Sequence, residues 1–499
     1  MSRLLAVSFA FIVTAGNCLA QAPKQVAYVK ASNTRAGAQF GAGGTLLGDG
    51  VALSSDGNTL AVGSPMESSA AKGINGNQAD ESAYDAGAVY VFRRSGNTWR
   101  QQAYIKPSNT RPSSNFGHVV RLSGDGNTMA VSAPFESSAA TGINGNPNDE
   151  SIPQAGAVYV FTRRGETWTQ QGYFKASNTG EPGKGDEPGD GDQFGFSLAL
   201  SDGGNTLAVG AIGEDGPDNS LPQAGAVYVF TRTGDRWTQQ AYVKPANPGG
   251  GDLFGYAVAL TADGGLMAVG SFDEDGLDDK ATGTGAVYVF SRAGSVWTQQ
   301  AYLKPSNTEA GDSIGVSVAI SLDGNTIAAG ALDEDCLCTG VNPADAAGRL
   351  AGANDRESDL STGAVYVFVR NGTSWTQQAY IKASNTGKED WFGSRLGLSG
   401  DGNTLVAGAQ LEDGNNDSTE EAGAVYVFRR SGTAWTQQGY LKGSNTEAFD
   451  EFGSSISLNR DGSMIVVSAR NEASNAKGVN GNQTDNSARD AGAVYVFAP

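Results

Sequence analysis

The hexapeptide Gly-Ala-Val-Tyr-Val-Phe occurs seven times without substitution in this sequence of 499 residues, at 87–92, 156–161, 225–230, 285–290, 363–368, 423–428 and 492–497. A short run of β-branched and aromatic residues opened by glycine has the composition of a β-strand and is too short for a helix. Because an internal repeat outweighs the domain count that length alone suggests, seven copies predict seven structural units within one domain.

Three further landmarks accompany each copy in a fixed order. A Phe-Gly pair, with Ile314 for Phe in the fifth repeat, opens a first strand; an Asp-Gly turn leads to a second strand of the type Asn-Thr-Leu-Ala-Val-Gly. The hexapeptide is the third strand, and a fourth strand of the type Trp-Thr-Gln-Gln-Ala-Tyr-Val-Lys follows a turn containing Arg and Gly. Four strands joined by turns predict an antiparallel sheet, and seven such sheets predict an all-β, seven-bladed β-propeller.

The two ends of the repeat array complement each other. Residues 25–30 match a fourth strand that lacks the first three, and the chain ends directly after the seventh third strand. We therefore predict that the N-terminal strand completes the last blade, with Tyr28 paired beside Tyr495, because this pairing hides two sheet edges at once. One propeller domain is expected over residues 21–499.

Phe-Gly, then Asp-Gly-Asn-Thr-Leu-Ala-Val-Gly, then Gly-Ala-Val-Tyr-Val-Phe resembles the FG-GAP repeat, the unit of the integrin α-subunit propeller and of many bacterial secreted proteins. The resemblance covers nearly all of residues 21–499 and implies the propeller fold. Integrin-type repeats carry calcium between their first two strands, on a loop with several spaced acids. The loop in this sequence has one acid, as at Asp56, so those sites do not carry over.

Residues 1–20 have an arginine near the start, an apolar run and a terminal Cys-Leu-Ala. This pattern predicts a signal peptide cleaved near Ala20 and a secreted or periplasmic mature chain; a lipoprotein signal through Cys18 is the weaker alternative, since Asn17 is not small. No later apolar run approaches the ~20 residues of a membrane span. For Cys336 and Cys338 we expect a local disulfide, with free thiols or half a metal site as alternatives.

The net charge of −19 and the scattered lysines and arginines argue against nucleic acid as a partner. The only histidine, His118, follows a Phe-Gly pair on the second inner strand. A histidine lining the central channel can act as a base or a ligand; the alternative, which we favour for a histidine without a partner, is a tolerated substitution. We expect a monomer.

The connections differ between the two faces of the predicted disc. The turn face, formed by the loops between strands one and two and between strands three and four, has short turns. The loop face, formed by the connections between strands two and three and between blades, has almost all the variation in length, including an acidic extension at 180–193 interpreted as a flexible flap. Blades 7, 1 and 2 share Gly-Ile/Val-Asn-Gly-Asn, at 478–482, 73–77 and 142–146.

Blades 3 to 6 instead have clusters of acids on the loop face. The candidate calcium ligands are Glu214, Asp215 and Asp218; Asp273, Asp275, Asp278 and Asp279; Asp333 and Asp335; and Glu412, Asp413 and Asp417. Closely spaced carboxylates with a glycine bend resemble a shortened calcium loop, and blade 4 is the best candidate. The alternative is that these residues make polar turns without a metal.

Trp391 precedes the sixth Phe-Gly, where the other repeats have Gln, Asn, Leu, Ser or Glu. It is a candidate ligand-binding residue that could stack on a sugar; the alternative is packing against a neighbouring loop. Together these features predict an exported, non-enzymatic propeller that binds an extracellular protein or glycan through an acidic face, with possible dependence on Ca²⁺. The alternatives are a calcium-dependent hydrolase or lyase of extracellular polysaccharide, since paired acids suffice for glycoside cleavage, and a structural matrix component.

Overall fold

The computed structural model describes residues 23–43, 48–180, 191–216, 218–277, 280–343, 360–414 and 418–499. These residues form seven four-stranded antiparallel sheets. Within these ranges there is no helix, and therefore none that could cross a membrane. The signal peptide, most of the 180–193 extension and the candidate ligands Asp278, Asp279 and Asp417 lie outside the described residues.

Each of blades 1 to 6 is formed by four consecutive strands. Blade 1 has β2 (Val51–Leu53), β3 (Thr59–Ser64), β4 (Ala88–Ser95) and β5 (Thr98–Ile105). Blade 2 has β6 (Val120–Leu122), β7 (Thr128–Ala133), β8 (Ala157–Arg164) and β9 (Thr167–Phe174). Blade 3 has β10 (Ser197–Leu200), β11 (Thr206–Ala211), β12 (Ala226–Thr233) and β13 (Arg236–Val243).

Blade 4 has β14 (Ala257–Leu260), β15 (Leu266–Ser271), β16 (Ala286–Ala293) and β17 (Val296–Leu303). Blade 5 has β18 (Ile314–Ile320), β19 (Thr326–Ala331), β20 (Ala364–Asn371) and β21 (Ser374–Ile381). Blade 6 has β22 (Phe392–Leu398), β23 (Thr404–Ala409), β24 (Ala424–Ser431) and β25 (Ala434–Leu441). Blade 7 has β26 (Phe452–Leu458), β27 (Ile465–Ala469) and β28 (Ala493–Ala498), and β1 (Lys24–Val29) supplies its fourth strand.

The first strands of successive blades contact one another in an unbroken ring, so they surround the centre of the disc. The predicted seven-bladed propeller is confirmed. Its closure is confirmed as well, because β1 pairs antiparallel with β28 and places Tyr28 opposite Tyr495, with their ring centres 5.4 Å apart.

The hydrophobic core consists of seven clusters, one between each pair of neighbouring blades. In blade 1, Tyr90 and Phe92 of the third strand pack toward blade 7, whereas Val89 and Val91 pack toward blade 2. Both faces of the strand are therefore covered, which is why the hexapeptide is apolar at every position after its glycine.

The glycine of the hexapeptide lies where two blades approach most closely. Gly225 has a φ of 74°, and a Cβ atom at this position would lie 2.2 Å from the carbonyl oxygen of Phe254 in the next blade. Any side chain would therefore displace the neighbouring backbone. This contact explains why glycine opens every copy of the hexapeptide.

Candidate interaction face

A buried glutamate anchors the loop between the second and third strands in every blade. The seven residues are Glu67, Glu136, Glu214, Glu274, Glu334, Glu412 and Glu472. Each carboxylate forms an ion pair of 2.5 to 2.9 Å with the lysine that ends the fourth strand of the same blade, Lys106, Lys175, Lys244, Lys304, Lys382, Lys442 and Lys30 in that order. Burial lowers the pKa of Lys175, and the nearby Glu136 carboxylate opposes this effect.

The same glutamates tie neighbouring blades together. Glu214 accepts hydrogen bonds from the hydroxyl of Tyr242 at 2.6 Å and from the side-chain amide of Asn178 at 3.1 Å. Asn178 belongs to the connection between blades 2 and 3. Its side-chain carbonyl oxygen accepts a hydrogen bond from the hydroxyl of Tyr228. Burial, followed by the negative charge of Glu214, raises the pKa of Tyr228 well above its usual value. An equivalent asparagine bonds the glutamate in six of the blades, so these six clusters fix both the base of a loop and the junction between two blades.

Glu214 and Glu412 are among the calcium ligands predicted from the sequence. In the structure their carboxylates are instead bound by Lys244 and Lys442 and by neighbouring tyrosines and asparagines. Both residues are 1% exposed, so they belong to the internal support of the loops. The seven lysines that end the fourth strands match the seven glutamates in number, a signal in the sequence that would have indicated this pairing.

Four of the candidate calcium ligands close their own loops. Asp215, Asp275 and Asp413 each accept a hydrogen bond through Oδ1 from the backbone N–H eight residues later, at 2.7 to 2.8 Å. Asp335 accepts from the N–H groups of Leu360 and Ser361. These bonds hold the end of each excursion beside its start.

The remaining described acids lie at different points of the loops, Asp273 and Asp333 at the base and Asp218 further along. The exposed Asp218 accepts a hydrogen bond from the hydroxyl of Ser220, and Asp333 accepts one from the hydroxyl of Ser361. Partial burial, followed by the negative charge of Asp275, raises the pKa of Asp273. Across the described ranges, no three His, Cys, Asp or Glu side chains are grouped so as to hold a metal ion. Calcium binding stays a prediction.

A second set of acids on the loop face lies two residues before the Phe-Gly landmark, as Asp192, Asp252, Asp312, Asp390 and Asp450. All five are buried. Burial is the largest cause that raises the pKa of Asp192 to about 7, Asp312 to about 8 and Asp450 to about 7. The carboxylates of Glu214, Glu334 and Glu472 respectively raise these pKa values further. This set was not predicted from the sequence, although its fixed spacing before Phe-Gly is a visible signal.

The Asn-containing loops of blades 7, 1 and 2 fold back onto the fourth strand of their own blade. Asn75 accepts a hydrogen bond from the backbone N–H of Tyr104, and Ile74 forms a β-bridge with Ile105. Blade 5 has the same arrangement: Val341 forms a β-bridge with Ile381, and Asn342 accepts a hydrogen bond from the backbone N–H of Tyr380. The loop of blade 5 was grouped above only with the acidic loops, and the structure corrects this grouping. The Gly-Val-Asn sequence at 340–342 indicated the arrangement. In the same loop, Cys336 and Cys338 form the expected local disulfide.

Trp391 lies on the loop face and is partly exposed. Its φ of 57° is matched at the equivalent residue of every blade, Gln39, Asn115, Gln193, Leu253, Ser313 and Glu451, where φ is 50° to 57°. A tryptophan in the left-handed region is unfavourable, since only Asn, Asp and Gly adopt it readily. The repeat therefore fixes a positive φ at this position, and a tryptophan that adopts this φ lowers the stability of the fold.

Four of the six large hydrophobic side chains that are exposed among the described residues belong to connections of the loop face, namely Tyr84, Leu277, Leu337 and Phe449. Leu277 is 71% exposed and follows the acid cluster of blade 4. The face thus combines carboxylates with apolar side chains on loops whose bases are fixed.

Seven radial sheets around a central channel, with fixed turns on one face and varied loops on the other, define a β-propeller. The FG-GAP repeat model matches residues 186–230, 237–290, 297–344, 375–428 and 435–497, more than half of the chain, and the protein belongs to this family. A comparison with curated proteins found no match. Among solved structures, a chain of "Crystal Structure of Mitotic Checkpoint Complex" is similar over 100% of this chain and 99% of its own, at 12% identity and a TM-score of 0.47.

Proposed function

We propose that this protein is an exported, non-enzymatic β-propeller that binds an extracellular protein or glycan through its loop face, with calcium as a cofactor of the acidic loops. The observation that carries the proposal is the position of Tyr84, Leu277, Leu337 and Phe449, exposed apolar side chains on the acidic, loop-built face. Exposed apolar groups surrounded by polar ones are typical of interaction surfaces.

The anchored loops support this function energetically. Binding costs free energy for every loop and side chain that it orders, so a surface already held in place keeps more of its contact energy as affinity. In blade 4, Glu274 with Lys304 fixes the start of the loop, and Asp275 fixes its end through Gly283. Leu277 therefore projects from a loop whose two ends are held.

A pair of variants in blade 4 tests the proposal. Leu277→Ser removes an apolar side chain from the loop face, and Val296→Ser removes one that is 61% exposed at the start of a fourth strand, beside a turn of the other face. Both are measured against a panel of extracellular polysaccharides and immobilised surface proteins, with calcium and with chelator. We expect Leu277→Ser to weaken binding roughly tenfold or more and Val296→Ser to leave it unchanged.

Equal effects of the two variants would contradict a binding site at this loop. Release of shortened or unsaturated sugar products from the panel would instead favour the hydrolase or lyase function. Binding that persists in chelator would remove calcium from the proposal and leave the loop face as the binding surface.

A further inference from the structure

The central channel contains a charged cluster that the loop face does not explain. Asp49 of blade 1 accepts from Arg121 of blade 2 at 2.5 Å and lies 3.5 Å from the Nε atom of Arg395 of blade 6. All three residues belong to or adjoin first strands, which surround the channel. At the positions of Arg121, the other six blades have Ala52, Ala199, Ala259, Ala319, Gly397 and Ser457. The cluster is therefore a specific departure from the repeat.

The cluster has an excess of positive charge. Two guanidinium groups face one carboxylate, in a chain whose net charge is −19. The side chain of Arg395 is 5% exposed and donates to the backbone carbonyls of Ser454, Ser394 and Gly48. Arg121 is 27% exposed, and its bonds within the described part of the chain, to Asp49 and to the carbonyl of Val120, engage two of the five donors that a guanidinium offers. Arg395 is buried and Arg121 is only partly exposed, and an excess charge that is largely removed from water is unfavourable unless a counter-charge is present.

An arc of rings lies beside the cluster. The residue two positions after the Phe of Phe-Gly is His118 in blade 2, Phe196 in blade 3 and Tyr256 in blade 4, with ring centres 5.6 Å apart for the first pair and 5.0 Å for the second. His118 is fully buried, and neither ring nitrogen has a hydrogen-bond partner among the described residues. Burial, and next the charge of Arg395, lowers the pKa of His118 to about 3, so the ring is neutral and has one N–H donor to offer.

Two cavities meet at Asp49 and Arg121. A small one of about 40 Å³ is also lined by Phe196, Tyr256 and Arg395. A larger one of about 240 Å³ extends among the ends of the seven first strands. A water molecule in the liquid occupies about 30 Å³, so the larger cavity has room for a small molecule of several heavy atoms.

An ion pair spans the far end of this channel, on the turn face. Arg460 of blade 7 binds Asp202 of blade 3 at 2.5 Å, and Asp202 also accepts from the hydroxyl of Ser55 in blade 1 at 2.7 Å. These three residues come from the strand-one to strand-two turns of separate blades. The channel is thus bordered by these polar contacts on the turn face and by the ring arc toward the loop face.

We propose that the central channel is a second ligand site that takes a small oxyanion with a single negative charge, held by Arg121 in the larger cavity. A guanidinium group presents two parallel N–H donors to a carboxylate or a phosphate, and the charge of such an anion balances the cluster. The partly buried Asp49 holds one end of the Arg121 guanidinium, and both residues line the cavity. This site lies on the channel axis and is independent of the proposed partner at the loop face.

The single histidine of the chain makes the test direct. Asp49 and Arg395 both act electrostatically on His118, so its ring resonances in NMR spectra of tag-free protein report on the cluster. Acetate, inorganic phosphate and sodium chloride are titrated at matched ionic strength, and thermal unfolding is followed in the same solutions. We expect acetate or phosphate to give a saturable shift of the His118 resonances and a higher unfolding temperature, with chloride giving neither. A response to acetate alone identifies a carboxylate, and one to phosphate identifies a tetrahedral oxyanion.

Arg121→Gln should weaken the saturable response at least about tenfold, the factor that loss of a charge-assisted hydrogen bond corresponds to. The matched control is Arg100→Gln, since Arg100 is 62% exposed and pairs with Glu166 at the surface. If Arg121→Gln does not fold, the anion titrations of the unmodified protein still decide. No saturable response, an equal response to chloride, or an unchanged response in Arg121→Gln would overturn the proposal.

Discussion

Lys30 and Glu472 lie 442 residues apart in the sequence and form a fully buried ion pair of 2.7 Å. The lysine follows the N-terminal strand, and the glutamate follows the second strand of blade 7. Together with Tyr28, which donates to the same carboxylate at 2.9 Å, this pair locks the closure of the ring.

We predict that Lys30→Met lowers the free energy of unfolding by about 3–5 kcal/mol, because it leaves a buried carboxylate without its counter-charge. Urea denaturation of the mature chain measures the effect. Removal of the exposed partner in Arg100→Ala should cost less than about 1 kcal/mol. Similar losses for both variants would mean that the closing pair is not a stabilising contact.

Stability should fall as the pH rises from 5 to 8. The pKa values of Asp192, Asp312 and Asp450 are raised to about 7, 8 and 7 in the folded state. The folded protein therefore binds protons more tightly than the unfolded chain, so the stability that these carboxyls contribute is greatest below their unfolded pKa. It is lost as the pH rises through the folded pKa, at up to about 1.4 kcal/mol per pH unit for each group.

Asp312→Asn isolates one of these groups. The amide oxygen can still accept the hydrogen bond that the Asp312 carboxylate receives from the backbone N–H of Glu309. We expect the variant to gain stability relative to the unmodified chain at pH 8 and to show a shallower pH dependence, measured by thermal unfolding across the range. Asp235→Asn, at a turn position whose side chain is 81% exposed, is the control. A steeper or unchanged slope for Asp312→Asn would contradict this account.

Calcium should stabilise the folded protein if the acidic loops bind it. A ligand present at a hundredfold excess over its Kd raises the free energy of unfolding by about 2.7 kcal/mol. We expect a higher unfolding temperature in calcium than in chelator, and a smaller difference in Asp273→Asn. The same comparison in Asp235→Asn, on the turn face, should equal that of the unmodified chain. An absence of any calcium effect would assign the acids of blades 3 to 6 to turns alone.

Contact between blades should make the hexapeptide glycines irreplaceable. Gly225→Ala places a Cβ atom 2.2 Å from the oxygen of Phe254, whereas Gly234 has a similar φ of 63° and no atom within 4 Å of the corresponding position. In both variants the alanine adopts an unfavourable backbone conformation, which lowers the free energy of unfolding by about 1–2 kcal/mol. Only Gly225→Ala adds a steric clash. We expect the difference between them in urea denaturation to be about 1–3 kcal/mol in favour of Gly234→Ala.

Much of the fold was predictable because the motif of each strand and turn recurs in successive repeats. The hexapeptide indicated the third strand, the Asp-Gly pairs indicated the turns, and Tyr28 indicated the closing strand. Alternation within the hexapeptide could not show which side faces which blade, since both sides are apolar. The direction of Tyr90 toward blade 7 is set by the order of the blades around the ring.

The candidate site was only partly predictable. Glu214 and Asp218 look alike in an acidic run, but the first is buried against Lys244 and the second is exposed. The lysine is 30 residues away from this glutamate, and only the return of the fourth strand brings them together. Asp49, Arg121 and Arg395 come from three different blades, so their contact depends on ring geometry that no local pattern contains.

The pairing of the N-terminal strand with β28 also sets the order of assembly. Residues 24–29 are synthesised before residues 493–498, so the strand that completes blade 7 has no partner until the strands of blades 1 to 6 have been made. Blades 1 to 6 can each form from neighbouring segments, but the ring cannot close until synthesis has passed Phe497. Contacts of such long sequence separation slow folding. Until then β1 is an unpaired strand. We expect this interval to be the stage at which two newly made molecules are most prone to exchange β1 and form a domain-swapped pair.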